Sequence, residues 1–343
     1  MELWVALLLC AGVGFAVSYL LGFAVVPWLH KLKFGQEILD IGPSWHKKKQ
    51  GTPTMGGILI ISGFIAAVAL VLITDRLLGG NLLLSGNSRP ENVVYIKIAA
   101  GIMMALAFSF IGFIDDYIKV VKKRNLGLTE LQKTGLQVLV IAVYLFTLHR
   151  CGVNYIFIPY LGIWENTVIF WTLGFIAIYC TVNAVNFTDG VDGLCSSVTA
   201  VACIAFSVCA VIMSFSGLSV IATALFGALI GFLMWNWNPS KVIMGDLGAL
   251  FLGGMVSMLA FSLDSPWLIV LIGCIYVAEF ASDIIQIFYV KTHNGKRLFK
   301  MAPLHHHYEM SEWSEKKICK VFTLVTIIGS AAAVALCWFG RLQ

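Results

Sequence analysis

Charge is scarce in this chain. Asp, Glu, Lys and Arg make up 12% of its 343 residues, against 59% apolar types and a mean hydropathy of +0.89. That balance excludes a soluble globular protein and implies a polytopic membrane protein. Long polar stretches are missing as well, so there is no room for a separate soluble domain, and residues 1–343 read as a single integral membrane domain. The nine cysteines include no C-x-x-C pair and lie mostly inside apolar runs at irregular spacing. They read as small core residues and not as disulfides or zinc ligands. Met1-Glu2 offers no basic leader before the first apolar run, which is too long for a signal peptide and has no clear cleavage site.

Apolar runs occupy 3–29, 55–73, 93–114, 134–149, 165–182, 194–213, 218–235, 248–263, 267–290 and 318–339. They predict an all-α bundle of about ten transmembrane helices. Of the 23 Lys and Arg, only Arg76, Arg89, Lys97, Arg150 and Arg341 fall outside the segments 30–54, 115–133, 236–247 and 291–320. The positive-inside rule makes those four segments cytoplasmic and both termini extracytoplasmic. The net charge of +5 is therefore mostly topological and implies no nucleic-acid partner, although the same lysines can meet anionic headgroups or phosphates.

The sparse acidic residues are concentrated. In Ile111-Gly-Phe-Ile-Asp115-Asp116-Tyr-Ile-Lys119 a long apolar run meets two adjacent carboxylates. Carboxylates at the end of a spanning helix are costly unless water, a cation or a donor meets them, and anchoring requires neither. Asn183-Ala-Val-Asn186-Phe-Thr-Asp189-Gly190-Val-Asp192-Gly193 carries two more, with two glycines and no Lys or Arg at all. Its carboxylates therefore need a partner from another loop or a divalent cation, and the spacing is not that of an EF-hand. Asn236-Trp-Asn238-Pro-Ser-Lys241 leads to Gly245-Asp246, where the Asp is either a helix cap or a metal ligand.

On the same side, Lys47, Lys48 and Lys49 precede a turn in which Thr52 or Thr54 can cap the second span, a plausible phosphate site. Within 267–290, Glu279 and Asp283 lie one turn apart, so either the helix lines a polar cavity or one carboxyl is protonated. His305, His306 and His307 follow in a basic loop. Consecutive helical residues point about 100° apart, so the three cannot serve one metal there, and they read as donors to a pyrophosphate. Carboxylates, cations and glycine turns on one face, with almost none on the other, suit a Mg²⁺-bound pyrophosphate.

These residues carry a family resemblance. Asp115-Asp116, Asn186-x-x-Asp189-Gly-x-Asp192-Gly193 and Met244-Gly-Asp246 resemble the motifs of the polyprenyl-phosphate N-acetylhexosamine-1-phosphate transferases. His46-Lys-Lys-Lys-x-Gly-Thr-Pro-Thr-Met-Gly-Gly57 and Met301-Ala-Pro-Leu-His-His-His-Tyr-Glu309 resemble the bacterial MraY branch, the phospho-N-acetylmuramoyl-pentapeptide transferases. The resemblance runs in order over nearly the whole chain. It implies transfer from UDP-MurNAc-pentapeptide to undecaprenyl phosphate, with Mg²⁺, at the cytoplasmic face of a bacterial cell membrane, by a homodimer.

Residue by residue, the resemblance makes Asp246 the Mg²⁺ ligand and Asp115 the base on the lipid phosphate. Asp116 would position the metal and phosphate. Asn186, Asp189, Gly190, Asp192, Gly193 and Asn236 would line the uridine and sugar-phosphate pocket. Lys49, Thr54, Lys119, Lys123 and Lys133 would contact phosphates, and His305 and His306 the donor. Two positions depart from the pattern: Asp283 stands where an apolar residue is expected, and Phe187 where Leu is. Asp115 fits both a one-step displacement and a phosphoryl-enzyme route.

Other membrane chemistries fit less well. A cation-coupled transporter would hold its carboxylates near the midplane, whereas these lie at helix ends. Met244-Gly-Asp246 only half matches an intramembrane aspartyl protease, and a CDP-alcohol phosphotransferase would need an Arg absent after Asp189-Gly. Inside the superfamily, a UDP-GlcNAc transferase acting on the same lipid is the nearest alternative.

Overall fold

A helix that is apolar on every side has to be covered on every side. The computed structural model describes residues 1–32, 51–82, 91–121, 127–158 and 161–340, and such a helix stands at its centre. This is α8 (Gly245–Ser262), in which every residue from Leu247 to Ser262 is buried. Small residues let its neighbours approach closely. A Cβ on Gly57 would lie 2.3 Å from the Gly248 Cα, one on Gly253 2.6 Å from the Val182 Cα, and one on Gly254 2.7 Å from the Ala105 Cα. Three helices thereby touch α8: α2 (Gly57–Leu77), α3 (Glu91–Val121) and α5 (Thr167–Thr188).

Around this post stand α1 (Leu3–Lys31), α4 (Glu130–Arg150), α6 (Leu194–Ile212), α7 (Ser216–Asn236) and α12 (Glu315–Gly340). Among the described residues, nine helices are long and apolar enough to cross a membrane, and the protein is an all-α polytopic membrane protein. Trp4, Phe23, Leu139, Phe146 and Ile328 are exposed on their outer faces, as surfaces solvated by lipid require.

The tenth span expected at 267–290 is broken. It divides at Gly273 into α9 (Leu268–Ile272) and α10 (Cys274–Thr292), and a Cβ at Gly273 would meet the Ile269 carbonyl at 2.6 Å. Glu279, Asp283 and Lys291 all lie in α10. A short α11 (Leu304–Glu309) follows. One feature was not foreseen in the sequence: β1 (Tyr155–Ile158) pairs antiparallel with β2 (Gly162–Glu165). Strands of four residues leave too little alternation to be recognised. The hairpin is tied down where the Phe157 N–H donates to the Asp264 carbonyl at 2.8 Å and the Trp267 indole donates to the Phe157 carbonyl at 2.8 Å.

At this end of the bundle, Lys97 of α3 meets Asp264, just past α8, at 2.7 Å, and both side chains are buried. Removing one member leaves the other charge uncompensated. Lys97→Met is therefore expected to destabilise the fold by about 3–5 kcal/mol, and Lys97→Met/Asp264→Asn by clearly less. Thermal unfolding in detergent checks this; equal losses in both variants would show that the pair does not act as an ion pair.

Candidate active site

Helix α3 runs beyond the expected end of its span, to Val121, so Asp115, Asp116 and Lys119 are all helical. Asp115 and Lys119 are then one turn apart and form an ion pair at 2.6 Å. The other Asp115 oxygen accepts the Leu128 N–H at 2.8 Å, in the segment leading to α4. That segment passes very close, because a Cβ on Gly127 would lie 2.3 Å from Asp115 Oδ1. Thr129 then opens α4 with a capping box, accepting from the Gln132 N–H at 3.3 Å and donating its own N–H to Gln132 Oε1 at 3.1 Å. The cap starts α4 early enough to place Lys133 in its first turn.

Lys133 reaches across to Asp246 Oδ2 at 2.8 Å, and Lys119 approaches the same oxygen at 3.3 Å. Asp246 Oδ1 accepts from Asn186 Nδ2 at 2.9 Å, in the last turns of α5. Asp246 lies inside the first turn of α8 and is not its cap; a carboxylate there is favoured by the helix dipole. Asp116 Oδ2 accepts the Leu247 N–H at 3.2 Å. Four helices thus converge on Asp115, Asp116 and Asp246, which each offer an oxygen within 4.8 Å of the others'.

Thr54 also reaches this place, but not as a cap. The start of α2 has no side-chain cap; the backbone of 53–57 pairs instead with 243–244, through Ile243 N to Pro53 O at 2.8 Å, Gly56 N to Ile243 O at 2.9 Å and Gly57 N to Met244 O at 3.0 Å. Gly245 sits between Thr54 and Asp116 at φ +74°, where a Cβ would be 2.5 Å from both Thr54 Oγ1 and Asp116 Oδ2. Only glycine is comfortable in that left-handed position. Lys49 and Lys123, both singled out in the sequence, lie outside the described residues.

The asparagine and aspartate loop divides its work. Asn186 joins the carboxylates, whereas Asp192 is buried and accepts the Ser240 N–H at 3.0 Å and Asn238 Nδ2 at 3.4 Å. Asn236 is also buried: its oxygen accepts from the Gly193 N–H at 3.2 Å and Ser196 Oγ at 3.0 Å, and its amide donates to the Val242 carbonyl at 3.0 Å. Asp192, Gly193 and Asn236 therefore tie the 190s loop to the turn before α8. Asp189 is the half-buried residue ending α5. Phe187 stacks on Phe280 of α10 at 6.0 Å between ring centroids, so the unexpected aromatic packs α5 onto α10.

The three histidines diverge, as the helical spacing predicts. His305 N and Nδ1 both meet Glu279, at 3.2 and 3.1 Å; His306 Nδ1 pairs with Glu309 at 2.7 Å; His307 Nδ1 accepts the Lys300 N–H at 3.1 Å. His305 is buried and its Nε2 has no hydrogen-bond partner among the described residues; a Cβ on Gly190 would lie 2.2 Å from it. His305 thus backs the Asp189-Gly190 turn, while His306 is the more exposed of the two.

Glu279 is the residue whose role the sequence left unassigned. Its tension with Asp283 is relieved by His305, since Glu279 is fully buried and Asp283 only half-buried. By fixing the His305 ring, Glu279 orients the face presented to Gly190. Glu279→Gln is expected to slow turnover about 10-fold and Glu279→Ala about 100-fold, by analogy with groups that orient a functional imidazole. Equal turnover in wild type and Glu279→Ala would remove it from the site.

The three aspartates supply only hard oxygen donors, as Mg²⁺ prefers when it takes one or two carboxylates together with substrate phosphates. Asp116 of α3 and Asp246 of α8 offer two of these oxygens from facing helix ends, which fits such a cation.

Comparison with known proteins decides the family. The Glycosyl transferase family 4 model matches residues 98–264, which contain all three clustered aspartates, and the phospho-N-acetylmuramoyl-pentapeptide-transferase signature 1 matches residues 49–61. A phospho-N-acetylmuramoyl-pentapeptide-transferase of Bacillus mycoides (strain KBAB4) is 43% identical over 320 residues, covering 92% of this chain and 93% of the relative. The chain belongs to the phospho-N-acetylmuramoyl-pentapeptide-transferase family. Proteins of the same name from Bacillus thuringiensis (strain Al Hakam) and Bacillus cereus (strain AH187) are each 42% identical, over 92% of this chain and 93% of their own. The signature match overlaps the 53–57 backbone that pairs with 243–244 beside Asp246.

Proposed function

We infer that this protein transfers phospho-MurNAc-pentapeptide from UDP-MurNAc-pentapeptide to undecaprenyl phosphate, forming lipid I and UMP. The observation that carries the reading is the convergence of Asp115, Asp116 and Asp246 with Lys119, Lys133 and Asn186, in a chain of this family. An oxygen of the lipid phosphate attacks the sugar-bearing phosphorus, a new P–O–P bridge forms, and the bond to UMP breaks. Such a displacement needs alignment and neutralisation of negative charge more than covalent help.

Asp246 and Asp116 would hold Mg²⁺, whose charge would neutralise phosphate oxygens. Lys119 and Lys133, both turned to Asp246, transfer hydrogen bonds to those oxygens as substrate enters. Asp115 Oδ2 takes the proton of a monoprotonated lipid phosphate, and Lys119, paired with that oxygen at 2.6 Å, holds it in place. Asn186, Asp189 and Gly190 border the sugar nucleotide, with Thr54 beside Asp116 and His306 toward the donor. Asp192, Gly193, Asn236 and His305 shape that border from behind.

The spanning helices and the skewed Lys and Arg distribution support a bacterial cell membrane with the carboxylates on the cytoplasmic side. The family supports a homodimer, which light scattering of the detergent-solubilised protein tests.

Purified protein with undecaprenyl phosphate, Mg²⁺ and each UDP-sugar in turn tests the substrate. UMP release is expected with UDP-MurNAc-pentapeptide. Release with UDP-GlcNAc and none with UDP-MurNAc-pentapeptide would replace the reading by that of the sister transferase.

A further inference from the structure

At the end of the bundle away from the aspartates, α2 and α3 splay apart and leave a cleft of about 380 Å³ floored by Ile221 of α7. Its walls are apolar, with Val68 and Leu72 from α2 and Ile98 and Ile102 from α3. Its rim is polar, with Asp75, Arg76, Asn81 and Tyr95. Leu72 and Tyr95 are exposed, so the cleft opens sideways into the region that lipid occupies.

Charge at the rim is uneven. Asp75 is buried and already satisfied, by the Met1 ammonium at 3.0 Å and the Leu82 N–H at 2.7 Å. Arg76 is exposed and makes no hydrogen bond or ion pair among the described residues. The Arg76 charge acts on neighbouring Asp75, but its guanidinium N–H groups point to no acceptor among the described residues, at the mouth of an apolar cleft whose Asp75 is also neutralised by the Met1 ammonium. A planar guanidinium at a membrane interface is suited to a phosphate diester, and an apolar cleft beside it to the attached chain.

We propose that this cleft binds one anionic glycerophospholipid of the bilayer, with an acyl chain between α2 and α3 and its phosphate on Arg76. The site is separate from the transferase centre, because Thr54 precedes the start of α2 and Asp115 lies near the end of α3, both at the opposite side of the bundle from Arg76 and Tyr95. It does not depend on the proposed reaction.

The test uses phosphatidylglycerol and phosphatidylcholine probes carrying a photoactivatable diazirine in one acyl chain. The full-length protein is reconstituted in phosphatidylcholine vesicles with either probe, and labelled peptides are sequenced. The phosphatidylglycerol probe is expected to label 68–76 and 95–102 about five-fold more than the phosphatidylcholine probe, the size of one interfacial cation. Arg76→Gln should bring the two probes level, and Ile98→Trp, which fills the cleft, should remove both labels, with UMP release unchanged in each variant. Equal labelling by the two probes in wild type, or no effect of Arg76→Gln, would overturn the proposal. So would undecaprenyl phosphate displacing the probe more effectively than unlabelled phosphatidylglycerol, or crosslinking of the cleft to a second copy of the chain.

Discussion

Asp246→Asn is expected to cut turnover about 1000-fold, the scale on which preorganised electrostatic groups act in phosphoryl and acyl transfer. The amide has almost the size of the carboxylate, and its oxygen can still accept from Asn186, so the loss is one of charge. Lys119 and Lys133 both lean on this carboxylate, at 3.3 and 2.8 Å. Without it their ammoniums repel each other with no shared counter-ion, and the proposed divalent cation would lose its α8 ligand. Unfolding temperature should hardly change, because α8 is held by its apolar surface and not by this side chain. Turnover within about 10-fold of wild type would remove Asp246 from the reaction centre. Asp115→Asn with near-normal turnover would likewise exclude Asp115 as base and as nucleophile.

Gly112→Ala is the second large expected effect, and it removes no chemical group at all. A Cβ on Gly112 would lie 2.2 Å from the Asp246 carbonyl oxygen, 2.4 Å from its carbonyl carbon and 2.6 Å from the Leu247 nitrogen. These are backbone atoms and cannot rotate away, so α3 and α8 must part. The parting falls between Asp115-Asp116 on one helix and Asp246 on the other. A shift of about 1 Å between reacting parts costs on the order of 100-fold in rate, so Gly112→Ala should approach that loss with every catalytic side chain present. Gly12→Ala, where a Cβ meets nothing within 4 Å, is the matched control and should be silent. Steady-state UMP release in both variants decides the matter; indistinguishable rates would show that the α3–α8 approach does not set the geometry.

The main outline of the site was legible from sequence because membrane proteins make charge conspicuous. Asp115, Asp116 and Asp246 stood out as acidic residues at the ends of apolar runs, and the structure brings them together. Lys119 and Lys133 were read as phosphate contacts, and they reach Asp246 from α3 and α4. The positions that set the geometry were harder to see. Gly112 is one glycine in a long apolar helix, and only the packing of α8 against it gives it a task. Glu279 visibly lacked a partner within its own helix, but His305 lies 26 residues further on, across a helix break. Asp192 and Asn236 look like ligand-binding polar groups in sequence, yet their hydrogen bonds are largely taken up by the turn before α8. Residue type announces that a buried polar group needs a partner; it does not tell whether the partner is substrate or backbone.

The central claim is that the aspartate and lysine cluster joins a sugar-nucleotide phosphate to a lipid phosphate in one centre. The most direct measurement counts both products in one reaction, with purified protein, Mg²⁺, undecaprenyl phosphate and radiolabelled UDP-MurNAc-pentapeptide. UMP and butanol-extractable, lipid-linked label should appear in equal amounts, and both should fall about 1000-fold in rate in Asp246→Asn. UMP formed without lipid-linked label, or either product formed by Asp246→Asn within about 10-fold of the wild-type rate, would contradict the account.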